Sequence, residues 1–371
     1  MAATVVVAAF SISPTYAQTA RNRWFPEKQN FGAIVERLNA NTVTIVSGNL
    51  NGAYLSIAAD LTAVLDDGDD FRVLPIMGKD GVQNIRDVRF LKGVDLGITQ
   101  TNLLNAARRG NELGPLDGRI VYIARLFSEE LHLVVRADSG ITSIEQLAGK
   151  KVNFGGAGSG TQWSTRDIFS RLNVKAEEVN LRQADAIEKL KASEIAGSAL
   201  IAAKPATAMA RLKADEGLRF LPMSFAKQLH DDYLPGVLTS ADYPGVVPAG
   251  EEVETVAVGA VLIAYNWQKG SEPYRRLEDF VGRFFSKFSE FKQPPRHPKW
   301  QETNFAAALP GWARFQPAED WLARNREVLT ARSQFNEFLS SRNGGAAIAT
   351  QEERERLFLE FVKWTQGRDR R

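Results

Sequence analysis

The stretch VTIVSGNLNGAYLSIAADLTAVL, residues 43–65, contains the structural unit from which the fold can be inferred. Its β-branched start predicts a buried strand over 42–46, and apolar residues at helical spacing from Tyr54 to Leu65 predict a helix. A short polar loop with Gly48 and Gly52 joins them. The first turn of a helix has backbone N–H groups without partners and lies at the positive end of the helix dipole. The loop is therefore either an ordinary turn or an anion site at a helix start.

Strand and helix patterns continue to alternate after this unit. Strands are predicted over 71–78 and 94–100, and the helix between them is marked by apolar residues from Val82 to Leu91. Parallel strands need a crossover connection of a dozen or more residues, usually a helix. The alternation therefore predicts an α/β fold with a parallel sheet.

A second set of such units follows. Ser143 and Gln146 have the spacing of a capping box at the start of a helix, which Gly149 ends. This helix is followed by a strand, by the loop GGAGSGT (155–161) and by a helix from Trp163 to Leu172. Further predicted elements are strands over 131–140, 197–205, 218–224 and 256–264 and helices within 273–291 and 317–366. The strand over 256–264 is expected to run back into the first set of units.

The glycine loop GGAGSGT matches no enzyme motif. Its third glycine comes one position too early for the dinucleotide pattern G-x-G-x-x-G, and Thr161 follows Gly160 where a phosphate-binding P-loop needs lysine. Ser159 is flanked directly by glycines, unlike the serine of G-x-S-x-G. A glycine-rich helix start in each of two βα units instead favours a cleft, in which both units direct backbone N–H groups toward one ligand.

Composition narrows the possible functions. The 371 residues are 44% hydrophobic and 24% charged with a formal net charge of +2, so no basic surface for nucleic acid is expected. The chain has no cysteine, which excludes disulfides and thiolate metal sites, and its three histidines lie far apart in sequence, so no metal site is predicted. No cofactor is predicted either, since the glycine loop matches no cofactor-binding motif. Residues 1–17 combine a short apolar run with small residues around Ala17, which is typical of a secretory signal peptide cleaved after Ala17.

The sequence resembles the TAXI family, the solute receptors of one class of tripartite ATP-independent periplasmic (TRAP) transporters. The resemblance covers roughly 43–325 and includes the opening stretch. It also includes LPIMGKDGVQNIRDVRFLKGVDLGITQTNLL (74–104), LFSEELHLVVRADSGITSIEQLAGKKVNFGGAGSGTQ (126–162) and VETVAVGAVLIA (253–264). It implies a periplasmic-binding-protein type II-like fold, in which two βα domains flank a ligand cleft and move about a hinge. It also implies capture of a small organic anion, such as an amino acid or another carboxylate, for a membrane-embedded TRAP transporter in the periplasm.

On this basis the expected domains are 42–136 plus 254–325 for domain 1 and 137–253 for domain 2, with a helical extension over 326–371. Domain 1 is expected to offer ligand-binding residues from the ends of its strands, and the resemblance supports those in the first loop. Thr161 is expected to give its hydroxyl to the ligand without supporting the fold. The full predicted set is Ser47, Asn49, Asn51, Gly52, Tyr54, Lys79, Gln100, Thr101, Ser159, Gly160, Thr161 and Lys204.

Two other functions remain open from the sequence. The same fold could serve as a ligand sensor that reports to a signalling partner, an alternative favoured by the C-terminal extension. It could also support an enzyme, although no acid–base constellation or nucleophile motif is recognisable in the sequence.

Overall fold

The first part of the chain folds as a parallel βα unit. The computed structural model describes residues 31–48, 52–68, 70–79 and 81–326, together with Phe335 and Phe358. The strand β1 pairs in parallel with both β2 and β3, which confirms the predicted parallel pairing. The elements are α1 (Phe31–Ala40), β1 (Thr42–Val46), α2 (Ala53–Leu65), β2 (Arg72–Ile76), α3 (Gly81–Phe90), β3 (Leu96–Gln100) and α4 (Thr101–Gly110).

A long strand, β4 (Ile120–Arg136), then crosses the molecule. Only its last part was predicted, as residues 131–140. Its first part pairs antiparallel with a strand more than 120 residues later in the chain. Charged residues at Arg125, Glu129 and Glu130 interrupt its apolar run, so local periodicity alone did not reveal it.

The second set of units lies beyond β4. The strand β5 pairs in parallel with β6 and β7, and β7 pairs antiparallel with the end of β4. The predicted capping box of Ser143 and Gln146 is confirmed, although it begins only a short 3-10 turn, Ile144–Leu147. The elements are β5 (Lys151–Asn153), α5 (Gly160–Arg171), β6 (Glu177–Val179), α6 (Gln183–Lys191), β7 (Gly197–Ala202), α7 (Thr207–Ala210), β8 (Leu218–Phe220) and β9 (Leu234–Thr239).

The strand β10 (Glu252–Tyr265) runs back to the first set of units, as predicted. It pairs antiparallel with β3 and with the first part of β4, which gives the strand order β2-β1-β3-β10-β4-β7-β5-β6. The first half of the sheet is defined here as β2, β1 and β3, and the second half as β7, β5 and β6; β10 and β4 lie between them. The sequence-based domain boundaries, 136/137 and 253/254, fall close to one end of each long strand, and the division into domains stays a prediction.

A large aromatic core supports the first half. Phe284 packs edge-on against Trp300 and Phe305 at ring-centroid distances of 5.8 and 5.1 Å. Such aromatic pairs stabilise a core beyond the burial of their surface. The core draws on α8 (Glu272–Ser286), α9 (Phe288–Phe291), the 3-10 segment Pro298–Glu302 and α10 (Gln316–Arg324). These C-terminal elements therefore belong structurally to the first half.

The helix predicted within 273–291 is divided into α8 and α9. Of the helices predicted within 317–366, the structure describes α10, residues 325 and 326, Phe335 and Phe358. The proposed signal segment, residues 1–17, lies outside the described residues, as does almost all of the extension 326–371. Among the helices that the structure describes, none has the length and apolar character needed to span a membrane.

Candidate ligand-binding cleft

The two halves approach each other at the starts of their helices. Gly81 begins α3 at the end of the β2–α3 loop, and Gly160 begins α5 after β5. A β-carbon built on Gly81 would lie 3.3 Å from Cα of Gly160. Since ligands of open α/β sheets bind at the carboxyl ends of parallel strands, this contact marks the candidate cleft.

A buried polar network begins at Glu129 on β4. The hydroxyl of Tyr54 donates to a carboxylate oxygen of Glu129 at 2.7 Å, and Nε2 of Gln100 donates to the same oxygen at 3.0 Å. All three side chains are buried. Burying a carboxylate is costly unless hydrogen bonds compensate it, so these two donors help to stabilise Glu129 in its position.

The same network continues across the cleft. Oγ of Ser164, on α5, donates to Oε1 of Gln100 at 3.2 Å, and Nδ2 of Asn102, on α4, donates to Ser164 Oγ at 2.8 Å. Asn102 also donates to the hydroxyl of Tyr233 at 3.3 Å, and that hydroxyl donates to Asp167 at 2.8 Å. Burial, followed by the charge of Asp167, raises the pKa of Tyr233 well above its usual value, so the phenol stays protonated. Residues of both halves therefore share one set of hydrogen bonds.

A second bridge lies nearer the surface. Asp232 accepts hydrogen bonds from Asn105 at 2.8 Å and from Arg109 at 3.1 Å, both on α4 of the first half. It also pairs with Arg171 on α5. Burial acts to raise the pKa of Asp232, yet hydrogen bonds from these partners hold it below its usual value. The ionised carboxylate thus links α4 to the second half.

The predicted residues of the first loop have different roles in the structure. Ser47 is fully buried and its hydroxyl donates to the carbonyl of Ile76 at 2.9 Å, a contact that joins β1 to β2. Gly52 is the N-cap of α2, and Tyr54 belongs to the buried network. Asn49 and Asn51 lie outside the described residues. Of the first-loop residues that the structure describes, Tyr54 is the one that joins the buried network, and its binding of a ligand stays a prediction.

The residues predicted at the other two strand ends of the first half also differ. Lys79 is exposed after β2. Gln100 is the N-cap of α4 and joins Glu129 to Ser164. Thr101 begins α4 and is partly buried.

In the second half, Ser159 caps α5 by accepting a hydrogen bond from the backbone of Gln162 at 3.1 Å. Gly160 is buried against Gln100. The hydroxyl of Thr161 donates to the carbonyl of Ile201 at 3.3 Å and accepts from its N–H at 3.2 Å. Thr161 thus ties α5 to β7, a structural role that the sequence had not suggested.

Lys204 lies two residues after β7 and contacts β9, the turn that follows β9, and β4. Its ammonium donates to the carbonyl of Val237 at 2.7 Å and pairs with Asp242 at 3.0 Å. Its backbone N–H donates to Glu130 at 3.1 Å. Three of the predicted residues, Tyr54, Gln100 and Gly160, lie together at the cleft in the described part of the chain.

The structure adds residues that sequence reasoning missed, namely Glu129, Asn102, Ser164, Tyr233 and Asp232. The one local signal was the acidic pair Glu129–Glu130 inside a buried strand. Glu130 is itself buried and pairs with Lys299 at 3.0 Å. Burial raises the pKa of Glu130 in spite of this lysine. Two acidic side chains are thus buried at adjacent positions of β4.

The described residues contain no group of three or more histidine, aspartate and glutamate side chains arranged to hold a metal ion.

Two βα halves joined by two long strands, with side chains of both halves meeting at the carboxyl ends of the parallel strands, define a periplasmic-binding-protein type II-like fold. The chain belongs to the NMT1-like family, whose model matches residues 45–275.

Several solved structures are similar to this chain. The periplasmic sulfonate-binding protein SsuA from Methylobacillus flagellatus KT is 14% identical, with 72% of this chain and 75% of that chain covered and a TM-score of 0.40. A structure described as a periplasmic transporter is 15% identical, with coverage of 77% and 93% and a TM-score of 0.45. A TctC solute-binding protein from Polaromonas is 15% identical, with coverage of 76% and 88% and a TM-score of 0.41.

Proposed function

We propose that this protein is a solute-binding protein that closes its two halves around a small organic anion. The observation that carries the proposal is the shared hydrogen-bond network, in which Gln100 and Asn102 of the first half both contact Ser164 of the second. Residues of two sheet halves that meet in this way can enclose a ligand, and the long strands β4 and β10 are the expected hinge. Binding without turnover is the expected activity.

An amino acid or another carboxylate is the proposed ligand class. Helices α2 and α4 begin at the cleft, and the side chain of Gln100, the N-cap of α4, makes no capping hydrogen bond. The backbone N–H groups of such a first turn, together with the helix dipole, favour a negative group. The resemblance of 43–325 to TAXI receptors supports the same ligand class. It also supports delivery to a membrane-embedded TRAP transporter, from a location in the periplasm.

A ligand screen by thermal shift tests this proposal directly. Small carboxylates and amino acids are added one at a time to the protein lacking residues 1–17. A ligand at a hundredfold excess over its Kd stabilises the native state by about 2.7 kcal/mol, which gives a readily measured rise in Tm. The proposal predicts such a rise for at least one small anion. Conversion of that compound to a product during incubation would instead indicate an enzyme.

A further inference from the structure

Arg125 is a half-buried cation on β4 that the network described above does not use. Its guanidinium makes no hydrogen bond or ion pair with any residue in the described part of the chain. By contrast, Arg109 and Arg171, which also lie at the contact between the halves, both bind Asp232. A guanidinium has five donors in a fixed planar arrangement, and no nitrogen of Arg125 is among the buried, unpartnered side-chain atoms of the described residues, so these donors remain accessible to a ligand. This arginine therefore calls for an explanation.

The surroundings of Arg125 show where its guanidinium lies. On the neighbouring strand β10, a β-carbon built on Gly259 would lie 3.2 Å from the methyl group and 3.5 Å from the hydroxyl of Thr101, and 3.9 Å from a terminal nitrogen of Arg125. Thr101 is the first residue of α4, at the cleft. Thr101 and the guanidinium thus both lie over the bare backbone of Gly259, where a side chain at position 259 would crowd them.

The first turn of α4 adds further donors beside this point. The side chain of Gln100, the N-cap residue, is bound to Glu129 and Ser164 and does not cap the helix. The backbone N–H groups of a first turn have no partners within the helix, and they prefer a negative group. Three types of donor, a guanidinium, a hydroxyl and a helix start, therefore lie together.

An opening of about 180 Å³ lies beside Arg125, lined also by Ser128, Asn304, Ala307 and Glu302. The carboxylate of Glu302 pairs with the ammonium of Lys299 at 2.7 Å and accepts a hydrogen bond from the backbone N–H of Ser128 at 2.9 Å. Glu302 makes no hydrogen bond or ion pair with Arg125 among the residues that the structure describes, and its contacts are with Lys299 and Ser128.

We propose that Arg125, Thr101 and the bare backbone at Gly259 form the subsite that binds the carboxylate of the transported solute. Arginine binds carboxylates through two parallel hydrogen bonds, and the planar match gives specificity as well as affinity. The hydroxyl of Thr101 and the first-turn N–H groups of α4 complete the set of donors around the carboxylate oxygens. This assignment rests on the proposed function, because it names the group that selects an anionic ligand within the proposed cleft.

The test compares acids with their amides by calorimetric titration. Probes are matched pairs, beginning with succinate and succinamide and with L-glutamate and L-glutamine, and extended to other small carboxylates. The proteins are the parent, Arg125→Gln, Gly259→Ala and Arg86→Gln. Arg86 is an exposed arginine on α3, so its loss changes the net charge equally without touching the subsite.

The parent is expected to bind an acid at least tenfold more tightly than its amide. Arg125→Gln should raise the Kd of that acid about 10- to 100-fold, the range for loss of a charged hydrogen-bonding partner, and should abolish the preference for the acid. Gly259→Ala should weaken the same acid by filling the subsite, while Arg86→Gln should bind it as the parent does.

An acid that binds Arg125→Gln within threefold of the parent would overturn the subsite and leave the proposed function intact. The same conclusion would follow if the parent bound the amide as tightly as the acid. Failure of every acid and every amide to bind the parent would contradict the proposed function itself. Unchanged Tm values of the ligand-free variants would confirm that any loss of affinity is local.

Discussion

The substitution Gly160→Ala tests the contact between the two halves of the molecule. A β-carbon at this position would lie 2.9 Å from Oε1 of Gln100, closer than real β-carbons approach other atoms. Gln100 cannot move freely, because its side chain is bound to Glu129 and to Ser164 and is buried. Alanine is favoured over glycine inside a helix by up to about 1 kcal/mol, so α5 itself should not be weakened. The perturbation therefore acts on the contact across the cleft.

The size of the effect follows from these hydrogen bonds. If the side chain of Gln100 moves aside, loss of its hydrogen bond with Ser164 costs about 0.5–1.5 kcal/mol, and loss of its hydrogen bond with the carboxylate of Glu129 costs about 1.5–3 kcal/mol. Small overpacking of a tight contact costs about 1–3 kcal/mol, and partial relaxation makes about 2 kcal/mol a reasonable value here. Ligand binding that requires contact between the halves should then weaken about 30-fold.

The assay is calorimetric titration with a ligand found in the screen, accompanied by Tm measurements without ligand. The matched control is Gly156→Ala in the same loop, where an added β-carbon meets no atom within 4 Å. The control should bind as the parent does. A Kd for Gly160→Ala equal to that of the parent would refute the inference that the halves come together at Gly160 and Gln100 when ligand binds.

Three further substitutions give separate predictions. Thr161→Val removes both hydrogen bonds with Ile201 and should lower the free energy of unfolding by about 1–3 kcal/mol in urea titrations; an unchanged midpoint would contradict its structural role. Burial lowers the pKa of His132 from 6.5 to about 4. As the pH falls, the imidazole is therefore protonated in the unfolded chain before it is protonated in the native protein. Stability should therefore fall by about 3 kcal/mol as the pH drops from 6.5 to 4, and His132→Gln should show a smaller pH dependence over that interval. Asp232→Asn removes the buried negative charge that pairs with Arg109 and Arg171 at the contact between the halves, and should raise the ligand Kd about 10-fold, as titration would show.

Much of the first half could be predicted from sequence because each element has its own local period. The run TVTIV reads as a buried strand, and the helix beginning near Tyr54 shows apolar residues at helical spacing. Both therefore appear in the structure close to the predicted limits. The return strand was found for the same reason, since Val256–Ala264 is an uninterrupted apolar run.

The first part of β4 was missed because its burial depends on distant partners. Arg125, Glu129 and Glu130 make this segment look polar, yet it lies between β10 and the segment that includes Phe315. No local pattern reports a pairing across more than 120 residues.

The candidate site was predicted only in part for a similar reason. Tyr54 and Gln100 were proposed from the loop after one predicted strand and from the end of another, and both lie in the buried network, while their binding of a ligand stays a prediction; the residues that join them, such as Glu129 and Ser164, come from other elements. Thr161 was assigned to the ligand because its loop position resembles that of a ligand-binding hydroxyl. Its hydrogen bonds with Ile201 depend on the packing of α5 against β7, and no local pattern in the sequence reports that packing.

Small-angle scattering measures the closing of the two halves most directly. The radius of gyration of the protein is determined with and without a saturating concentration of a ligand from the screen, and Gly156→Ala is measured in parallel. Closure of a two-domain cleft around a ligand brings mass toward the centre of the molecule. A smaller radius with ligand is the predicted result, and an identical radius at saturation would contradict a mechanism in which β4 and β10 act as a hinge.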